Sequence, residues 1–135
     1  MGVEPREGLV KIHLDTHVAV WLAAGEKRRL KSVEARLRRG SLFLSPVALL
    51  EMEFLHEIGR IKTPIADVWE ILSEDYGISE ALGEVQQLGR QARLLGWTRD
   101  PFDRLIVAHA LADQAILLSA DETIRKHCPQ AQWGR

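Results

Sequence analysis

Short apolar runs, separated by longer stretches with helical spacing, set the layout of this chain. Residues 9–14 (Leu-Val-Lys-Ile-His-Leu), 41–44 (Ser-Leu-Phe-Leu) and 115–118 (Ala-Ile-Leu-Leu) read as buried strands, and 131–133 as a last edge strand. Residues 16–24 predict a helix stopped by Gly25, and residues 32–39 a helix closed by Gly40. Ser45-Pro46 opens the next, with serine as N-cap and proline in the first turn, and it runs to about Ile58, before Gly59. Residues 64–74 and 81–95 predict two more helices. Asp100-Pro101 opens another that reaches about Asp113, and residues 121–126 form a short one. Residues 1–8 read as a loose leader.

Strands alternating with helices imply the α/β class, with a parallel sheet covered on both faces. In such a sheet the ligand crevice lies beyond the carboxyl ends of the strands, where Asp15 and Asp121 fall by position. The chain carries no internal repeat, low-complexity tract or linker, so residues 1–135 are expected to form a single domain.

Composition narrows this picture. The 135 residues suffice for one domain with its own core. Lys and Arg total 18 against 19 Asp and Glu, a net charge of -1 that argues against a bulk polyanion binder. A local basic patch stays open, above all between Lys27 and Arg39. Cys128 is the only cysteine, which excludes an internal disulfide and a cysteine-based zinc site. No apolar stretch approaches the roughly 20 residues of a membrane span, and the first residues are too polar for a signal peptide. A cytoplasmic location is expected.

Four acids stand where a core would not ordinarily want them: Asp15, Glu51, Asp103 and Asp121. Each has a structural alternative. Asp15 can cap the helix it precedes, and Asp121 can be a first-turn charge beside the capping-box spacing of Ser119 and Glu122. Glu51 falls in the helical stripe of Val47, Leu50, Phe54, Leu55 and Ile58, where an arginine partner would satisfy it. Asp103 leads Leu105, Ile106 and Val107 into an apolar helix, while Asp100 reads as that helix's N-cap. Drawn to one sheet edge, four carboxylates would repel one another unless a cation sat among them. An all-carboxylate set suits Mg²⁺ or Mn²⁺. The five histidines show no zinc-hydrolase spacing, and neither a glycine-rich phosphate loop nor a Gly-x-Ser-x-Gly elbow is present. The four tryptophans read as core or interface anchors, with Trp97, just before the acids, as a possible base-stacking residue.

Several segments carry a family resemblance. Leu14-Asp15-Thr16-His17 resembles the opening of PIN-domain ribonucleases. Ser45-Pro46-Val47-Ala48-Leu49-Leu50-Glu51 with Gly59-Arg60-Ile61 is similar to their second acidic segment. Asp100-Pro101-Phe102-Asp103-Arg104-Leu105 resembles the third, and Leu118-Ser119-Ala120-Asp121 the fourth. Size and layout look most like the VapC toxins of toxin–antitoxin pairs. The resemblance covers about residues 10–133. It implies a PIN-like three-layer α/β/α fold with four to five parallel strands. It also implies a metal-dependent endoribonuclease in which Asp15, Glu51, Asp103 and Asp121 hold Mg²⁺ or Mn²⁺ and do the catalysis. Asp100 is then an additional acid beside the site, Ser119 a support for a carboxylate or water, and Arg99 and Arg104 contacts for the RNA backbone. An antitoxin partner and a homodimer are implied as well. Leu50 and Ala120 depart from the commonest pattern at positions that bear on substrate fit. A catalytically silent PIN fold that binds RNA or a partner is the alternative. A phosphoryl-receiver domain ranks lower, because no lysine follows the late strand.

Overall fold

The computed structural model describes residues 9–134; the expected leader at 1–8 lies outside the described residues. Five strands form one parallel sheet: β1 (Lys11–Leu14), β2 (Ser41–Leu44), β3 (Ser79–Glu80), β4 (Ile116–Leu118) and β5 (Ala131–Gln132), in the order β3-β2-β1-β4-β5. Helices cover both faces, giving the three-layer α/β/α architecture. Double coverage explains why Ile12, Leu14, Leu42, Leu44, Leu117 and Leu118 are all buried instead of alternating with solvent-facing residues.

From β1 the chain steps outward through β2 and β3, then returns to place β4 on the other side of β1. The β1–β4 junction is therefore the topological switch point, and the crevice beyond its carboxyl ends is the expected ligand position. Ile12, His13 and Leu14 pair with Ile116, Leu117 and Leu118, and the Asp15 amide donates to the Leu118 carbonyl at 3.0 Å. This register brings the loops carrying Asp15 and Asp121 side by side.

The helices are α1 (Thr16–Ala24), α2 (Lys27–Leu30), α3 (Glu34–Arg39), α4 (Pro46–Glu57), α5 (Ile65–Glu70), α6 (Val85–Arg93), α7 (Pro101–Ala112) and α8 (Glu122–His127). Gly25 ends α1 at φ 71°, the left-handed stop that its sequence predicts. Ser45 caps α4 by accepting from the Val47 amide at 3.2 Å.

Several elements differ from the sequence reading. The first strand begins at Lys11, since Leu9 and Val10 lie exposed before it. The single helix expected over 32–39 is broken: α2 precedes it, and a 3-10 turn at Lys31–Val33 leads into α3. Helix α5 runs on into a π turn over Ile71–Asp75. The helix expected from residue 81 starts at Val85, because the preceding residues form β3, a strand too short to show alternation. Its anchors are buried Ile78 and Ala81, whose amide donates to the Leu44 carbonyl at 2.8 Å.

Helix α4 is turned away from the expected orientation. Ala48 and Met52 face the core, whereas Leu50, Phe54 and Ile58 are 50%, 46% and 68% exposed. Small and flexible side chains suit the tight contact beneath α4, and its larger apolar residues form an outer stripe. Glu51 therefore sits at the boundary of the buried face and is half-buried.

Candidate active site

Asp15 is the N-cap of α1 and almost fully buried. Its Oδ1 accepts from the Thr16 amide at 2.9 Å, and its Oδ2 accepts from the Ser119 hydroxyl at 2.7 Å. His17 approaches the same Oδ2 through Nδ1 at 3.4 Å, while its Nε2 accepts from the Ala120 amide at 3.0 Å. With Nε2 as the acceptor, the neutral ring carries its proton on Nδ1, facing Asp15. Cap and site residue are thus not exclusive readings of Asp15: one oxygen serves the helix, and the other is held toward β4.

Glu51 reaches the same place from α4. Its Oε1 accepts from the Thr16 hydroxyl at 2.6 Å, so Thr16 links the first two acids. The described residues offer it no arginine partner. Burial raises its pKa most, the Thr16 hydrogen bond opposes that, and the charges of Asp15 and Asp100 add to the rise.

Asp100 caps α7 as its position predicts: one carboxylate oxygen accepts from the Phe102 and Asp103 amides at 2.8 and 3.3 Å. Asp103 follows one turn into that helix. Its pKa is pushed up to about 7, first by burial and then by the negative charges of Asp100, Asp15, Glu51 and Asp121. No hydrogen bond among the described residues offsets this. Asp121 caps α8, accepting from the Thr123 and Ile124 amides at 2.8 and 3.1 Å through one oxygen. Ser119 does not act as that cap: it donates to Asp15 and accepts from the Asp121 amide at 3.1 Å.

Asp15, Glu51, Asp100, Asp103 and Asp121 line one cleft of about 410 Å³. Thr16, His17 and Arg60 line it too, with Val20, Trp21, Leu55 and Ile61 as an apolar wall. Arg60 is the one arginine among these residues, and Gly59, at φ 83°, turns the chain at its approach. Arg99 and Arg104 are not among the lining residues. Arg99 donates to the Gly96 carbonyl at 3.2 Å, and Arg104 donates through Nε to the Thr98 carbonyl at 2.7 Å. Trp97 is stacked on His127 with ring centroids 5.1 Å apart, so one of its faces is already covered. Thr16, His17 and Arg60 fall within the segments that carry the family resemblance and Trp21 reads as an anchor, but the sequence alone assigns none of them a place in the site. Thr16, His17 and Trp21 follow Asp15 within a helical turn or two, and that proximity was the available signal.

The donor chemistry fits a hard divalent cation: carboxylate oxygens, no thiol and no lysine. Among the described residues, however, no three carboxylate, imidazole or thiol groups converge as a ready-made cage. Burial is the main cause of the raised pKa values of Asp103 and Glu51, and repulsion from the neighbouring carboxylates adds to it.

An acid-lined cleft at the switch point of a five-stranded parallel sheet defines a class of α/β protein, and the comparisons name it. Residues 12–128 match the PIN domain family, and the chain belongs to that family. The fold is similar to VapBC2 from Rickettsia felis, solved with a DNA fragment from its promoter: TM-score 0.68, 16% identity, covering 93% of this chain and 100% of that one. It is similar as well to DNA-bound VapBC from Salmonella typhimurium, with TM-score 0.63, 16% identity and coverage of 93% and 97%. Among curated proteins no match was found.

Proposed function

We propose that the protein is a metal-dependent endoribonuclease, the toxin half of a VapC-type toxin–antitoxin pair. One observation carries this reading: five carboxylates line a single cleft against one arginine, Arg60, and no lysine, and one of them has its pKa pushed up to about 7. Such a cleft is poised for an added cation. Asp15, Glu51, Asp103 and Asp121 would hold Mg²⁺ or Mn²⁺. When bound, the cation supplies charge neutralisation at the scissile phosphate and a lowered pKa for the attacking water.

The chain's own residues have separate tasks. Ser119 and Thr16 orient Asp15 and Glu51 by donating to their carboxylates. Asp100 fixes the first turn of α7 and so the position of Asp103. Arg60 offers a cation to an RNA phosphate from the wall of the cleft. Arg99 and Arg104, both held by backbone carbonyls, act on RNA only from outside the cleft.

The antitoxin reading draws on the VapBC complexes with the same fold and on the apolar wall of Val20, Trp21, Leu55 and Ile61. A peptide lying there can present a basic side chain to the acids. The exposed stripe of α4, Leu50, Phe54 and Ile58, would serve either as a further wall for that peptide or as the face of the homodimer that the resemblance implies. A cytoplasmic location accords with this role, and among the described residues no helix is long and apolar enough to cross a membrane.

The test is cleavage of an RNA panel, tRNAs included, with Mg²⁺ or Mn²⁺, by the parent and by Asp15→Asn and Asp103→Asn. The expected result is metal-dependent cutting lost in both variants. Cutting that survives both overturns the assignment. The silent-fold alternative draws on the lack of a preformed cage, and predicts RNA or partner binding with no cutting by metal-loaded parent.

A further inference from the structure

Trp21 lines the acidic cleft, and what surrounds it is not explained by core packing alone. His17 meets its ring edge-on at 4.9 Å, and Trp133 does so at 5.9 Å. These two contacts fix the indole plane. The guanidinium of Arg29 lies over the ring at 4.9 Å from its centroid. Arg29 is exposed, and among the described residues it also pairs with exposed Glu26 at 3.5 Å. A solvated guanidinium on an indole face marks a surface that accepts flat, π-rich or cationic groups.

The position of this face suits a nucleotide. His17 touches both Trp21 and, through Nδ1 at 3.4 Å, the Asp15 carboxylate, so the indole is one side chain away from the acids. Beyond Trp21 lies the most basic stretch of the chain: residues 27–39 hold seven Lys and Arg against one acid, Glu34. Lys27, Arg28, Arg29 and Lys31 are all exposed. Arg29 carries this charge onto the Trp21 face, whereas Arg36 and Arg39 line a separate groove with Leu9, Val10 and Gly40, and Lys27 and Arg38 line another with Leu22 and Tyr76.

We propose that Trp21 and Arg29 form a stacking subsite for an unpaired RNA base next to the scissile phosphate, with the exposed Arg28 and Lys31 tracking the flanking backbone. The base lies on the indole, and Arg29 moves from the ring to the base or its phosphate. A base inside a duplex has no free face to offer, so the subsite selects single-stranded or looped RNA. The inference rests on the RNA-substrate reading above and adds to it the two residues that hold the base beside the acids.

The experiment is fluorescence anisotropy in an Asp103→Asn background, which suppresses cutting and lowers repulsion in the cleft. A labelled mixed-sequence single-stranded oligoribonucleotide and its duplex are each titrated with the parent background, Trp21→Leu, Trp21→Phe and Arg29→Gln. Trp21→Leu is expected to weaken single-strand binding about tenfold and duplex binding hardly at all. Trp21→Phe keeps a ring and is expected to keep most of the affinity. Arg29→Gln, at an exposed position that cannot unfold the chain, is expected to weaken binding and flatten its salt dependence. Unchanged single-strand binding in Arg29→Gln and in folded Trp21→Leu overturns the proposal, as does equal loss on both RNAs or no RNA binding by the parent. Failure of the nuclease reading shows separately: base-dependent binding through Trp21 without metal-dependent cutting by the Asp103 protein sinks the nuclease and keeps the subsite.

Discussion

Asp103 holds its proton at about pH 7 because it is desolvated among four other carboxylates. An acid whose pKa rises on folding favours the protonated folded state, so its ionisation costs stability. The sign follows: between pH 3.8 and about 7 the unfolded chain has lost this proton and the folded chain retains it, so stability falls as pH rises. Asp103→Asn removes the effect. In chelator, the melting temperature of the variant minus that of the parent is expected to be near zero at the acid end, to grow to a few degrees by neutral pH and then to level off. Saturating Mg²⁺ should shrink the gap. A difference that does not vary with pH would contradict this account of Asp103. Ser119 and Thr16 yield a second prediction. Ser119→Ala and Thr16→Val each leave a carboxylate without its buried donor, at about 1 kcal/mol of stability. Mn²⁺ affinity is expected to fall about tenfold or more, read by calorimetry. The acids themselves were legible in the sequence because a carboxylate at a strand end or near an apolar face is costly without a partner. Of their donors, Ser119 was given by the family resemblance as a support for a carboxylate or water, whereas Thr16 was not, since a threonine at a helix start is too common to stand out before α4 brings Glu51 onto it.

At the scale of elements, the helix starts were the clearest features. Asp100-Pro101 and Ser45-Pro46 each combine a side-chain acceptor with a proline whose missing N–H is harmless in the first turn, and both caps form. Ser45 does more than cap. Nε2 of His109 faces the Leu82 carbonyl at 3.0 Å and must donate to it, so the Ser45 hydroxyl donates to Nδ1 at 2.8 Å. Ser45→Ala therefore loses the cap and strands a buried ring nitrogen. A cost of about 2 kcal/mol in urea unfolding is expected, against less than about 1 kcal/mol for Ser45→Thr if its methyl is accommodated. The orientation of α4 was not legible. Periodicity locates an apolar stripe but cannot tell a core face from an interface, and Ala48 and Met52 signal burial more weakly than Leu50, Phe54 and Ile58. Strand β3 escaped for a different reason: two residues cannot display a period of two.

For the molecule as a whole, the alternation of strands and helices determined the class, and the switch point follows from the strand order around β1. What the chain alone withheld was how its surface is divided. The acids gather in one cleft, Arg29 of the basic segment lies over Trp21 in its wall, and the apolar stripe of α4 faces outward. If that stripe joins two copies, Phe54→Glu should weaken the dimer at least about tenfold by light scattering while leaving the circular dichroism spectrum unchanged. A dimer equally stable in the Phe54→Glu variant would assign the stripe elsewhere.

The claim on which the rest depends is that Asp15, Glu51, Asp103 and Asp121 act as one cation-binding set. Calorimetric titration of metal-free protein with Mn²⁺ near neutral pH tests it most directly. Saturable binding is predicted for the parent, weakened at least about tenfold in Asp15→Asn and Asp103→Asn. Glu122→Gln, an exposed acid beside the cleft that does not line it, should bind as the parent does. Absence of binding in the parent, or equal affinity in all four proteins, would contradict the account.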